Sequence, residues 1–242
     1  MGHSWGSYLG LRLVHEHPEE FAAFVGIGQV ADQVESERLS FEWALLEARR
    51  RANEAAVREL EKLGPPTRGR YRGGLRGLGI QRKWVRTFGG AAYGRGNMGA
   101  IWMFAWPTLI FREYHIADKL QFVEAETFSM KYLEETMLDD PPAARMLEFD
   151  VPIFMLQGRH DHQTEFGVAE AYFNLLRAPN KELIVFEDAA HLVPFEAPEE
   201  FLRAMVDHVL PWAKFPRRPG EAMRMTARSS TGRRAVSQRS DK

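Results

Sequence analysis

The chain of 242 residues contains no cysteine, which excludes disulfides, thiolate zinc sites and a cysteine nucleophile. It has no apolar run approaching the roughly 20 residues needed to span a bilayer. The formal net charge is −1, so the whole chain has no electrostatic preference for nucleic acid or for a membrane surface. The N-terminus, MGHSWGSYLG, lacks the basic and apolar regions of a signal peptide, and we therefore expect a cytoplasmic protein.

Short apolar runs and helical periodicities alternate along the chain. Three runs have the length and composition of buried parallel strands: 21–29, 151–157 and 183–186. Helical spacing of apolar residues predicts helices over 5–17, 36–63, 81–88, 100–112, 124–138, 164–177 and 198–212. Thr164 is the expected N-cap of the helix that it begins. Strands and helices that alternate in this way predict an α/β fold with a parallel sheet.

The distribution of these patterns predicts four regions. We expect residues 1–35 to form a first part of the core, 36–147 a helical cap, and 148–215 a second part of the core. Residues 216–242 carry few large apolar side chains and cannot bury a core, so we expect them to form a disordered basic tail. The arginines of this tail are Arg217, Arg218, Arg224, Arg228, Arg233, Arg234 and Arg239.

The first residues contain a motif that is typical of a nucleophilic serine. Gly2-His3-Ser4-Trp5-Gly6 fits G-x-S-x-G, in which the serine occupies a sharp turn between a strand and a helix. Because the turn is sharp, we expect side chains at both glycine positions to clash with the surrounding chain. It also places the Ser4 hydroxyl at a helix N-terminus, where the helix dipole favours developing negative charge.

Two further residues follow predicted strands in the order that this motif requires. Asp161 comes just after the second strand, and His191 comes just after the third. Alone, the aspartate would be read as a loop or capping residue and the histidine as a surface or core residue. Together with Ser4 they predict a triad in which His191 is the general base and Asp161 orients its imidazole.

Four segments carry a resemblance to a known family: GHSWGS, SERLSFEWALLEARR, VPIFMLQGRHDHQT and FEDAAHLVPFEAPEEF. They resemble the α/β-hydrolase family, and within it the proline iminopeptidase-like branch that has a helical cap. The resemblance covers about residues 2–212. It implies Ser4 as nucleophile, Asp161 as acid, His191 as base and the backbone N–H of Trp5 as one oxyanion donor. We expect no metal and no cofactor.

One departure from the family leaves alternatives open. Complete members have several strands before the serine, and a loop there that supplies a second oxyanion N–H, whereas this sequence begins at Met1. We therefore expect the C-terminal half of an α/β-hydrolase sheet, with about three strands and an inserted helical cap. The first hypothesis is a serine hydrolase that cleaves an ester or amide through an acyl-enzyme, with a proline iminopeptidase-type aminopeptidase as the specific form. The second is a catalytically inactive truncated fragment of such a hydrolase.

A third hypothesis, a binding module that acts through the basic tail, predicts phosphate contacts. The tail lacks the interleaved aromatic residues that stack on bases, so we expect no nucleic-acid partner. The expected partner is a small-molecule or short-peptide substrate.

Several side chains near the predicted site have a second interpretation. His160 and His162 flank Asp161 but have no third donor at metal-ligand spacing, so we expect no metal site there. Glutamates at the cap entry would hold a substrate amine in aminopeptidase-like relatives, but a solvated helix face is the expectation here. These glutamates are Glu35, Glu37 and Glu42. A cluster of aromatic residues suits a substrate pocket or cap packing equally well: Trp102, Phe104, Trp106 and Phe111.

Overall fold

The computed structural model describes residues 1–96, 98–99, 101–102, 106 and 110–212. Its sheet has four parallel strands in the order β1-β2-β3-β4. Their bounds are Gly2–His3 for β1, Phe24–Ile27 for β2, Ile153–Gly158 for β3 and Lys181–Phe186 for β4. The predicted α/β class is confirmed. The sequence indicated only three strands because β1, with two residues, is too short to show a pattern.

Nine α-helices and three short helical turns connect and cover these strands in the described residues. The helices before β3 are α1 Trp5–Glu16, α2 Gln33–Arg50, α3 Glu54–Leu63, α4 Leu75–Phe88, α5 Ile116–Asp139 and α6 Pro142–Arg145. Those after β3 are α7 Phe166–Leu175, α8 Val193–Glu196 and α9 Pro198–Ala204. The short turns are a 3-10 turn Pro18–Glu20, a π turn Met205–Val209 and a 3-10 turn Leu210–Trp212. The helices α2–α6 lie between β2 and β3, and we call residues 33–145 the helical insertion.

Both faces of the sheet are covered, as a parallel sheet requires. Side chains of β3 alternate between two clusters, because successive residues of a strand point to opposite faces. Ile153 and Met155 pack in the cluster that includes residues of α1 and α7. Phe154 and Leu156 pack in the other cluster, which includes Ala204 at the end of α9. All six residues of β3 are buried, so this strand is the centre of the core.

The helix predicted over 36–63 is wrong in one respect, because two helices occupy this range. The chain breaks after Arg50, where Ala52 has a φ of 51°. Asn53 then caps α3 by accepting a hydrogen bond from the Ala56 N–H at 3.0 Å. The apolar residues of both helices pack in one cluster, so the hydrophobic pattern continues across the break and does not reveal it. The last predicted helix, over 198–212, has the expected extent but changes type: α9 ends at Ala204, and the π turn and the 3-10 turn continue it to Trp212.

The expected solvated face at the start of the insertion is correct for two of the three glutamates. Glu35 and Glu42 both bind Arg38 at the surface. Glu37 differs, because it is 3% exposed and forms an ion pair with Arg82 of α4. The partner on α4 explains how this charge is tolerated inside the insertion.

Three expectations fall wholly or partly outside the described residues: the basic tail over 216–242, the helix over 100–112, and Phe104 of the aromatic cluster. Among the helices that are described, none is long and apolar enough to cross a membrane.

Candidate functional site

Ser4 occupies the turn between β1 and α1, as the motif predicts. Its φ is 54°, in the left-handed region that residues other than glycine rarely adopt, so this turn is strained. The Ser4 N–H donates to Ile27 O at 2.9 Å, and Ser7 Oγ donates to Ser4 O at 2.5 Å. These bonds fix the backbone of the turn and leave the Ser4 side chain half-buried.

The two glycines of the motif have different roles. A Cβ on Gly2 would lie 2.0 Å from Gly6 O, which confirms the predicted clash at this position. A Cβ on Gly6 would meet no atom of the described residues within 4 Å, so the clash predicted there is wrong. The close approach occurs on one side of the turn only, where the first turn of α1 folds back over β1.

Asp161 lies in the loop after β3, which we call the Asp161 loop (residues 159–165). Its Oδ1 accepts the N–H groups of Gln163 at 2.9 Å and Thr164 at 3.0 Å. Its Oδ2 accepts Thr164 Oγ1 at 2.8 Å and Gln157 Nε2 at 3.0 Å. Thr164 therefore supports the aspartate and does not cap α7, which begins at Phe166. The prediction of a Thr164 N-cap is wrong because its side chain is used in this loop.

His191 lies in the loop after β4, which we call the His191 loop (residues 187–192). Its Nδ1 is 2.9 Å from Asp161 Oδ2, and both side chains are buried. Burial alone would raise the pKa of Asp161, but the charge and hydrogen bond of His191 and the loop N–H groups together hold it well below its usual range. The carboxylate accepts, so we assign the proton to Nδ1, which leaves Nε2 as the nitrogen that can accept a proton.

The elbow, by which we mean residues 2–6 of the G-x-S-x-G motif, contacts the His191 loop through His3. His3 Nε2 donates to His191 O at 2.8 Å, and the two imidazole rings are 4.8 Å apart. A Cβ on Gly28 would lie 2.9 Å from His191 Nδ1, so only glycine fits between the end of β2 and the imidazole. The structure therefore brings Asp161 and His191 into contact and places Ser4 beside them. Within the described residues no hydrogen bond joins Ser4 Oγ to His191.

His3 itself is held in its neutral form. Burial, followed by the nearby charge of His191, lowers the pKa of His3 from 6.5 to about 4. The sequence interpretation treated this residue as the variable position of the motif and missed its contact with the base. Gln157 was also missed, although a polar residue at the end of a buried strand is a visible signal.

The histidines on either side of Asp161 pack on aromatic rings. His160 stacks on Tyr93 at 4.0 Å, and His162 stacks on Trp43 at 3.9 Å. His162 also makes a 2.9 Å hydrogen bond through Nδ1 to Glu165. In the part of the chain that the structure describes, no group of three or more ligand-type side chains is arranged to hold a metal ion.

Comparison with known proteins gives matches over most of the chain. The family model described as alpha/beta hydrolase fold matches residues 1–198. A protein named "Probable aminopeptidase YbaC" from Bacillus subtilis (strain 168) is 25% identical over 208 residues, which are 86% of this chain and 63% of that protein. The chain thus spans less than two thirds of this relative's length.

Two solved structures also match, at low similarity. The crystal structure of VinJ has 18% identity and a TM-score of 0.48, covering 85% of this chain and 63% of the other. An alpha/beta fold family hydrolase from Bacillus anthracis str. Sterne has 18% identity and a TM-score of 0.44, covering 85% and 65%.

Proposed function

The chain belongs to the alpha/beta hydrolase fold family, and from this premise we propose that it is a serine hydrolase acting on an ester or amide bond. The observation that carries the proposal is the buried Asp161–His191 pair, whose contact is 2.9 Å, beside a serine held at positive φ. A buried, fully hydrogen-bonded carboxylate on the imidazole Nδ1 is the arrangement that makes the opposite nitrogen a general base.

The proposed reaction uses each residue at a stated atom. His191 Nε2 takes the proton of Ser4 Oγ as the oxygen attacks the carbonyl carbon of the substrate. The oxyanion that forms is stabilised by the Trp5 N–H, which has no intrahelical acceptor because Trp5 is the first residue of α1. His191 then protonates the leaving alcohol or amine, and an acyl group remains on Ser4. Water, deprotonated by His191, releases the acid and restores the serine.

Asp161 remains ionised throughout this cycle. Its charge stabilises the imidazolium that forms on His191, and its contact fixes the orientation of the ring. The low pKa of Asp161 favours this role, since the carboxylate does not take the proton from His191 at neutral pH.

The finer proposal is an aminopeptidase of the proline iminopeptidase type. It is supported by the name of the Bacillus subtilis relative and by the resemblance of the sequence segments named above to the proline iminopeptidase-like branch. The proposal predicts that an amide of N-terminal proline is cleaved faster than the same amide with its proline nitrogen acetylated, because an aminopeptidase requires the free amine. The opposite preference would leave the serine hydrolase and remove the aminopeptidase.

A fluorophosphonate probe tests the serine hydrolase directly, because it reacts with a serine activated by a general base. We expect intact mass to show one added probe on the wild-type chain and none on Ser4→Ala. Ser129→Ala is the matched control, since it removes an exposed serine of α5, and it should label like the wild type. A folded wild-type chain that does not label would establish the alternative, a fragment that keeps the residues without catalysis.

A further inference from the structure

Glu196 makes an unusual set of contacts directly beyond His191. It is the last residue of α8, and its carboxylate accepts backbone N–H groups from the residues on both sides of His191. Ala190 N is 3.1 Å from each carboxylate oxygen, and Leu192 N is 2.8 Å from Oε1. The carboxylate thus holds the backbone on both sides of His191.

These bonds satisfy groups that the His191 loop would otherwise leave without partners. Ala190 and Leu192 are both buried, and the loop between β4 and α8 has no sheet or helix ladder to accept their N–H groups. A buried N–H without an acceptor is costly. An ionised acceptor makes shorter and stronger hydrogen bonds than a neutral one. Glu196 is therefore suited to fixing the loop in one conformation.

The same carboxylate reaches the helical insertion. Glu196 Oε2 accepts the N–H of Tyr93 at 2.6 Å. Tyr93 belongs to residues 89–93, the segment that follows α4. In this segment Ala91 O accepts the His191 N–H at 3.2 Å, and Gly90 O accepts the His162 N–H at 2.9 Å.

Residues 89–93 therefore contact both loops of the site through their backbone. The Tyr93 ring adds a third contact, because it stacks on His160 of the Asp161 loop. Glu196 is the side chain that anchors this segment to the His191 loop.

We propose that Glu196 is a positioning residue, which orients His191 through the flanking backbone and joins it to residues 89–93 of the helical insertion. This inference rests on the proposed hydrolase function, because orientation of His191 matters to catalysis only if His191 is the base. Glu196 does not touch the reacting atoms.

Glu196→Gln keeps the shape of the side chain and removes one acceptor oxygen. Its amide NH₂ then faces backbone N–H groups on one side, donor against donor, so the loop shifts. Displacement of a catalytic group by about 1 Å costs on the order of 100-fold in rate. Since the change affects the reacting geometry and leaves binding intact, the loss should fall on the chemical step.

The experiment measures inactivation of the full chain by a fluorophosphonate at Ser4, separated into kinact and KI. We expect Glu196→Gln to lower kinact about 10- to 100-fold and to leave KI within about threefold. Glu199→Gln is the matched control for charge removal, because the Glu199 side chain is 91% exposed; it should react like the wild type. Tyr172→Phe is the control for stability, since it removes the buried bond from Tyr172 Oη to Met146 O (2.6 Å) away from the site.

The outcomes separate the two proposals. If the wild type does not label at Ser4, the hydrolase proposal fails. If the wild type labels and Glu196→Gln reacts at the wild-type kinact, Glu196 does not position His191 while the hydrolase stands. The positioning role is also refuted if Tyr172→Phe, at an equal fall in Tm, lowers kinact as much as Glu196→Gln does.

Discussion

The elbow and the Asp161 loop hold their key residues by different means. Asp161 is fully buried, and its carboxylate is bound by two side chains and two backbone N–H groups besides His191. Ser4 is half-buried at the end of a two-residue strand, and the bonds that fix it are made by its backbone. Asp161 is positioned by hydrogen bonds to its own side chain, and Ser4 by a strained main chain.

Because of this difference, the two regions tolerate different substitutions. At the Asp161 loop, the polarity of the side chains determines whether a substitution is tolerated, because a buried carboxylate needs every donor that it has. At the elbow, the available space determines whether a substitution is tolerated, since the turn requires two segments of backbone to approach closely.

The largest effect is expected from Asp161→Asn. The asparagine amide presents a donor where His191 Nδ1–H and Thr164 Oγ1 both need an acceptor, so the wrong imidazole tautomer is favoured. An equivalent change in a serine triad lowers turnover about 10⁴-fold. We expect a fall in fluorophosphonate labelling rate of about 10³- to 10⁴-fold, with Asp188→Asn, an exposed aspartate of the His191 loop, unchanged. A loss of less than tenfold would contradict the assigned role of Asp161.

Gly2→Ala tests the space at the elbow. The added Cβ would overlap Gly6 O, and overpacking against backbone costs about 3 kcal/mol of unfolding free energy. Gly6→Ala is the matched variant, because its Cβ meets open space, and we expect it to change stability by less than about 0.5 kcal/mol. Urea unfolding of the two variants measures the difference. Equal losses would show that the two glycines are not distinguished by the turn.

His3 predicts a pH dependence that belongs to the elbow. Its folded pKa, about 4, lies below the 6.5 of the unfolded chain, so the unfolded state takes up the proton first as pH falls. The stabilisation is complete above about pH 6.5 and is lost progressively toward pH 4. At about 1.4 kcal/mol per pKa unit, the shift from 6.5 to about 4 makes this loss at most about 3.5 kcal/mol.

The variant His3→Gln should therefore lose less stability than the wild type between pH 6.5 and pH 4. The free energy of unfolding in urea, measured at steps across this window, gives the two curves. His17→Gln removes an exposed imidazole outside the site and serves as the control. Parallel curves for the wild type and His3→Gln would show that the pKa of His3 is not lowered as its burial predicts.

The smallest effect is expected from Ser40→Ala in the helical insertion. Ser40 Oγ donates to His162 O and accepts from Gln81 Nε2 at 2.7 Å, so it joins α2 and α4 to the Asp161 loop. Removing it takes a hydrogen-bond partner from the buried Gln81 amide and from the part-buried His162 carbonyl, which costs about 1 to 2 kcal/mol. The labelling rate should stay within about threefold, since Asp161 keeps its own donors. Stability equal to that of Ser129→Ala would show that this contact carries no energy.

The parts of the fold that follow a local pattern were predictable from the sequence. β2, β3 and β4 are apolar runs, and α1 begins at the predicted residue because the elbow motif specifies its start. The strand β1 and the break at Ala52 were not predictable in this way. A two-residue strand has no periodicity, and the apolar face continues from α2 into α3.

Ser4, Asp161 and His191 were proposed as the site from their order along the chain. The residues that hold these three in place were not identified from the sequence. Glu196 and residues 89–93 act through contacts between distant segments, which no local spacing records. Thr164 was assigned to a helix cap because its sequence position suits one. Its actual partner, Asp161, is only three residues away, but the choice between the two depends on the buried carboxylate.

The position of Gln157 has a consequence for how fast the site forms. The Gln29 N–H donates to Gln157 Oε1 across 128 residues of chain, and Gln157 Nε2 in turn binds Asp161. Folding slows as contacting residues lie farther apart in sequence, because the entropy of closing the chain is lost before the contact forms. Because the helices of the insertion satisfy their hydrogen bonds locally, we expect them to form before the site does. After dilution from denaturant, the helical signal should therefore return before the reactivity of Ser4.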